Sequence, residues 1–276
     1  MNLYPLLTAP YFLSGEKTPW GGNMLRDAFM KDAPEQTGAS YEVSALEGME
    51  SMIRSGAHAG KTLARVNELL GKDLSGCEGA FPMVIKLVDV CEALPEQKAE
   101  SAKAWIVLNC DAGCKLICNG EEKALRPGDI YYIPAGAKYA FDAGVQLYEV
   151  CACVAEAADD ASAKKIYGAT SLYKGGSRTY YAANACFELC RLNLSGKMPL
   201  GDGRMHIVTP LAPCTLKWAD EEITLMPLES AVIPAALKDV FVESEDCKLF
   251  CASPSDREWL RQELGYRAEN VAGLTE

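Results

Sequence analysis

From Phe81 onward the apolar residues fall into short runs separated by turn-forming residues. Val84-Ile85-Lys86-Leu87-Val88, Trp105-Ile106-Val107-Leu108, Lys115-Leu116-Ile117-Cys118, Ile130-Tyr131-Tyr132-Ile133 and residues 145–154 have strand length and are rich in β-branched or aromatic side chains. Asp111-Ala112-Gly113, Asn119-Gly120 and Arg126-Pro127-Gly128-Asp129 stand between them, with the glycine and proline that tight turns require. Strands recurring at roughly 8 to 12 residues predict a sandwich or barrel.

The pattern occurs twice. Residues 112–152 and 212–252 align without a gap at an offset of 100 and share 14 of 41 positions, among them Cys114/Cys214, Leu116/Leu216, Pro127/Pro227, Ile133/Ile233, Phe141/Phe241 and Cys151/Cys251. The chain is therefore a tandem of related β units. Residues 1–80 read as an N-terminal extension packing on the first unit. It contains a short helix near Met24 to Phe29 and a longer one in which Leu63, Val66, Leu69 and Leu70 keep helical spacing until Gly71. The first barrel spans 81–154, an Ala, Ser, Lys and Gly rich linker 155–183, the second barrel 184–253, and a helix with its tail 254–276. Ser255-Asp256-Arg257-Glu258 predicts a capping box at the start of that helix.

Composition narrows the function. A net charge of −11 without a basic stripe disfavours nucleic acid and anionic membranes as partners. No apolar run reaches the roughly 18 residues of a membrane span and no export signal opens the chain, so a cytoplasmic protein is expected. In that compartment the 12 cysteines read as small core residues rather than as a disulfide framework.

Gly128 through Tyr139 fits the second sequence motif of cupin barrels, in which a Pro-x-Gly turn aims a ligand residue into the barrel; here that residue is Tyr139. Further landmarks are Trp20-Gly21-Gly22, Ser40-Tyr41-Glu42-Val43-Ser44, Gly60-Lys61-Thr62-Leu63, Phe81-Pro82, Ile85-Lys86, Asp89, Ala104-Trp105, Ile133-Pro134-Ala135-Gly136 and Tyr148-Glu149. With these the chain resembles the type I mannose-6-phosphate isomerases in their short bacterial form. The resemblance implies a mainly β fold of two tandem jelly-roll-like cupin barrels with a small helical N-terminal insertion. It also implies exchange between mannose 6-phosphate and fructose 6-phosphate on a zinc ion. In the resembled family that ion is held by a glutamine and a histidine of a Ser-x-Gln-x-His-Pro stretch, a glutamate before Ala-Trp and a histidine after Pro-Ala-Gly.

Carried onto this chain, the four ligand positions fall on Gln97, Ala99, Lys103 and Tyr139. One amide oxygen does not hold catalytic zinc, so no metal cofactor is expected. The two histidines, His58 and His206, read as surface or satisfied core residues, and no arginine lies between Arg126 and Arg178 to match the family's active-site arginine. Lys86 matches a family active-site lysine. It is a candidate catalytic or sugar-phosphate-binding group, or else the partner of a buried carboxylate. Glu42 or Glu149 is the candidate base of a metal-free reaction, with Lys103 or Lys86 as its electrophile; Ser44, Lys103, Tyr139 and Glu149 are candidate substrate contacts. Lys103 either sets its ammonium where the metal would be, against Glu149 or a bound anion, or is an exposed lysine after a shortened loop. Three functions stay open: a bicupin that has lost zinc-dependent isomerisation and binds a sugar or sugar phosphate, an isomerase working without metal through these lysines and carboxylates, or an interaction scaffold with Tyr139 plugging the pocket.

Overall fold

The computed structural model describes residues 3–153 and 162–274. Two compact units are present, each mainly β. The first consists of Pro10–Glu42 and Met83–Ile166. Its seven-stranded sheet runs in the order Lys164–Lys165, Ile130–Ile133, Lys103–Cys110, Val145–Ala152, Met83–Val90, Thr37–Val43, Tyr11–Ser14. A four-stranded sheet of Leu94–Lys98, Lys138–Phe141, Lys115–Cys118 and Glu121–Ala124 completes it. Every residue of Val145–Ala152 is buried, as expected of an apolar central strand covered on both faces. Between the sheets lies a core that includes Trp105, Leu116, Tyr131, Ile133, Tyr139 and Phe141.

Trp20-Gly21-Gly22 closes one end of this unit by backbone approach. A Cβ on Gly21 would lie 2.4 Å from the Gly38 nitrogen, and one on Gly22 would lie 2.7 Å from Asp89 Oδ2. That carboxylate is buried, accepting from the Met24 amide at 2.9 Å and from Gln146 Nε2 at 2.9 Å.

The second unit comprises Met1–Ala9, Val43–Pro82 and Tyr167–Glu276. Its sheet path is Ala169–Tyr173, Gly176–Ala183, Glu188–Pro199, Phe241–Ser253, His206–Pro210, Ala231–Ile233, Leu6–Ala9, Met52–Ile53, and the hairpin Cys214–Trp218/Glu221–Leu225 joins at Phe241–Ser253. The internal repeat becomes structure element by element: Lys115–Cys118 corresponds to Cys214–Trp218, Glu121–Ala124 to Glu221–Leu225, and Ile130–Ile133 to Ala231–Ile233. Even the hairpin turns agree, with φ of +47° at Asn119 and +46° at Ala219.

Three boundaries differ from the sequence reading. Residues 1–80 are not one extension on the first barrel. Leu6 and Leu7 pair with Val232 and Ala231, which places the chain start in the second unit's sheet, while residues 10–42 join the first unit. Nor is 155–183 a linker throughout. Residues 154–161 lie outside the described residues, but Ala169–Tyr173 and Gly176–Ala183 form an antiparallel hairpin. The glycines that suggested a loop form its turn, Gly175 having φ of +90°. Finally, the C-terminal helix Arg257–Leu264 is capped by Asp256, whose carboxylate accepts from the Trp259 amide at 3.0 Å; Ser255 Oγ makes no hydrogen bond. A carboxylate at this position also faces the positive end of the helix dipole. Among the described residues no helix is long and apolar enough to cross a membrane.

Ala219 holds a left-handed conformation that alanine adopts only at a cost. Ala219→Gly is expected to stabilise the chain by about 0.5–1 kcal/mol, read as a raised urea midpoint. A lowered midpoint would show that this turn relaxes without its left-handed residue.

Candidate functional site in the first barrel

The site is built around one carboxylate on the central strand. Glu149 pairs in register with Lys86 on one side and with Trp105 on the other. Residues directly opposite in a ladder share a face, so all three project together, and Lys103, two residues before Trp105, projects with them. Lys86 Nζ donates to Glu149 Oε1 at 2.6 Å, Trp105 Nε1 donates to Oε2 at 2.6 Å, and Lys103 Nζ lies 3.7 Å from Oε2. Tyr139 closes the group from the smaller sheet, its hydroxyl accepting from Lys103 Nζ at 3.3 Å. The Lys86 ammonium also lies 5.1 Å from the centroid of the Tyr41 ring.

All of these side chains are largely buried, with Lys86 15% and Lys103 14% exposed. Burial opposes ionisation of Glu149, yet the two ammonium groups outweigh it and hold the carboxyl well below its usual range. Burial likewise opposes the charge on both lysines, and Glu149 reverses it, so both pKa values are raised. Tyr139 is pushed up by burial, with Lys103 working against the shift. The result is a buried cluster with two positive charges on one negative.

The other sequence candidates make no side-chain hydrogen bond or ion pair to this cluster among the described residues. Glu42 is buried and engaged elsewhere, accepting from Lys31 Nζ at 2.7 Å and from Ser40 Oγ at 2.6 Å. Ser44 and both histidines belong to the other compact unit, where Ser44 Oγ accepts from the Leu46 amide at 3.2 Å. Gln97 pairs in register with Tyr139 but is exposed, and Ala99, 1% exposed, offers no donor atom. Trp105 was visible only as a landmark. Its role as hydrogen-bond donor to Glu149 depends on strand register, which the sequence pattern does not carry.

The donor set does not suit zinc. An amide, a methyl, an ammonium and a phenol stand at the four positions, and the neighbouring carboxylate is committed to two ammonium groups and an indole N–H. A protonated amine has no lone pair to give, whereas such a site needs about three nitrogen, sulfur or carboxylate ligands.

No family model matches the chain. It is 27% identical over 184 residues to the mannose-6-phosphate isomerase of Streptococcus mutans, an alignment covering 52% of this chain and 57% of that one. It is 23% identical over 185 residues to mannose-6-phosphate isomerase ManA of Bacillus subtilis, covering 54% and 58%. The chain thus spans less than two thirds of the length of these relatives. In fold it matches the crystal structure of the mannose 6-phosphate isomerase from Bacillus subtilis with a TM-score of 0.81 at 20% identity, over 91% of this chain and 99% of that one. Among its structural neighbours is a mannose 6-phosphate isomerase bound with zinc and yttrium, with a TM-score of 0.72 at 11% identity over 92% of this chain and 100% of that one.

Two β units of this topology, each bearing the same repeated hairpin, define a double cupin. Within that class the chain is similar over about half its length to mannose-6-phosphate isomerases and shares the fold of one that has been solved.

Because Glu149 ionises more readily folded than unfolded, the folded state binds fewer protons around the unfolded carboxyl pKa of about 4.3. Its stabilisation is complete above that pH and is lost as pH falls toward the depressed folded value. Glu149→Gln, which leaves two buried ammonium groups without a counter-charge, is expected to cost about 3–5 kcal/mol at neutral pH. The difference from the parent chain should shrink as urea denaturation is repeated toward pH 3. An equal loss at every pH would remove the carboxylate's charge from the account.

Proposed function

We propose that this chain is a mannose-6-phosphate isomerase-family bicupin of carbohydrate metabolism that binds a sugar phosphate in the first barrel without zinc-dependent isomerisation. The supporting observation is the convergence of Lys86 and Lys103 on a single buried carboxylate, which leaves one positive charge in excess where the family resemblance sets the metal. A phosphate or an enediolate-like oxyanion complements that charge. The geometry argues against turnover by the same residues. A general base works best with a pKa near the working pH, and Glu149 is held far below it. Glu42, the other candidate base, is committed to Lys31 and Ser40.

A second reading, the interaction scaffold, draws on the aromatic packing. Trp105, Tyr139 and Phe141 meet edge to face with centroids 4.8, 5.0 and 6.2 Å apart, so ring carbon occupies part of the barrel interior.

Titration with mannose 6-phosphate, fructose 6-phosphate and unphosphorylated mannose separates the two. On the binding reading the phosphorylated sugars bind and Lys103→Ala weakens them about tenfold or more, the effect of losing a charge-assisted hydrogen bond. Affinity unchanged by Lys103→Ala would overturn that assignment, and no binding by any of the three sugars would leave the scaffold. A coupled isomerase assay with and without added zinc is expected to show no turnover; rapid interconversion on adding zinc would refute the loss of the metal reaction.

A further inference from the structure

The second unit contains a buried polar pair that the site above does not use. Ser171 on Ala169–Tyr173 and Arg178 on Gly176–Ala183 are directly opposite in register, so both side chains project from the same face of the hairpin. Each residue is only 7% exposed. Ser171 Oγ and Arg178 Nε both lack a hydrogen-bond partner among the described residues. Buried donors are almost always satisfied, and two neighbouring exceptions on one face point to one missing acceptor.

The nearby carboxylates are engaged elsewhere. Arg204 Nη1 donates to Glu188 at 2.9 Å and its Nη2 to Asp202 at 2.8 Å, while His206 Nε2 lies 2.7 Å from Asp202. No ion pair reaches Arg178 among the described residues. Tyr173 and Tyr180 lie 5.8 and 5.9 Å from its guanidinium carbon, but their rings stabilise the charge without accepting the edge N–H. The two tyrosine hydroxyls lie 3.4 Å from each other, with Tyr173 donating on to Glu263 at 3.4 Å; the Tyr180 hydroxyl also meets the guanidinium, leaving Nε without a partner among the described residues.

We propose that Ser171 and Arg178 form a binding site for a small oxyanion in the second barrel. A water molecule would satisfy the two donors but would not answer the charge, whereas a phosphate-type or carboxylate oxygen does both, and guanidinium is the side chain best matched to such groups. Two donors and aromatic walls suit an ion of a few atoms rather than a phosphorylated sugar. The site lies in a different compact unit from Lys103 and is independent of the proposed function.

The test is a thermal-shift and calorimetric titration of the whole chain with potassium phosphate and with potassium acetate, against potassium chloride at matched ionic strength. Saturable stabilisation by one or both oxyanions, absent with chloride and retained in Lys103→Ala, is expected. Which salt acts separates the phosphate-type ion from the carboxylate. Arg178→Gln should weaken the effect about tenfold and Ser171→Ala several-fold, in line with a hydrogen bond to a charged group against one to a neutral donor. Should Arg178→Gln fail to fold, Ser171→Ala decides alone. The proposal is overturned by stabilisation no different from chloride, by an unchanged response in Ser171→Ala, or by loss of the response in Lys103→Ala.

Discussion

The constraint on which the first barrel depends is the placement of an ionised carboxylate within a fully buried strand. Glu149 sits where Met83–Val90 and Lys103–Cys110 both pair with Val145–Ala152, so each neighbour has one position from which to reach it. Lys86 and Trp105 occupy those positions, and Lys103 approaches from the diagonal. An unpaired carboxylate there would cost several kcal/mol and would instead be protonated. Because it is paired on both sides, it fixes the register of three strands and the orientation of the two ammonium groups. Both ammonium groups stand against this carboxylate, which neighbours the positions where the family resemblance sets the metal ligands.

The fold was largely legible in the hydrophobic pattern. Strand runs such as Lys115–Cys118 and Ile130–Ile133 are found where alternation and turn residues predicted them, and Thr62 and Gly71 bracket the helix Leu63–Leu70. These features are local, and local physics encodes them. What the pattern did not carry was pairing across long separation. Leu6–Ala9 reaches Ala231–Ile233, more than 200 residues away, through backbone hydrogen bonds that any apolar strand could make. The hairpin Ala169–Tyr173/Gly176–Ala183 hid in a composition rich in glycine, serine and lysine, although its edge strand alternates buried and exposed positions and its inner strand is buried from Arg178 onward.

The site was legible as a list of residues but not as a geometry. Lys86, Lys103, Tyr139 and Glu149 do converge, whereas Ser44 and Gln97 do not join them and Glu42 is paired elsewhere. The difference is one of register and side-chain direction. Glu42 lies in a strand two places from Glu149 in the sheet, and its partner Lys31 comes from a loop whose position no periodicity announces. Trp105, in contrast, belonged to the Ala-Trp landmark, and its indole N–H explains why that residue must be polar at one end.

The two barrels show which part of the design is conserved between copies and which is free. Shared apolar positions of the repeat, Leu116/Leu216, Leu125/Leu225 and Ile133/Ile233, are buried in the core of each unit. The polar interior differs completely. At the offset of Glu149 stands Leu249, buried in an apolar cluster, and at that of Tyr139 stands Asp239, whose φ is +55°. Each interior polar group must instead be satisfied locally, by Lys86, Lys103 and Trp105 in one case and by the Arg204, Asp202 and His206 network in the other. A jelly-roll frame specified by its apolar repeat can therefore exchange one interior chemistry for another while keeping most of its strands, provided the new charges bring their own partners. Where a buried donor lacks one among the described residues, as at Arg178 Nε, the proposed oxyanion is the partner supplied from solution.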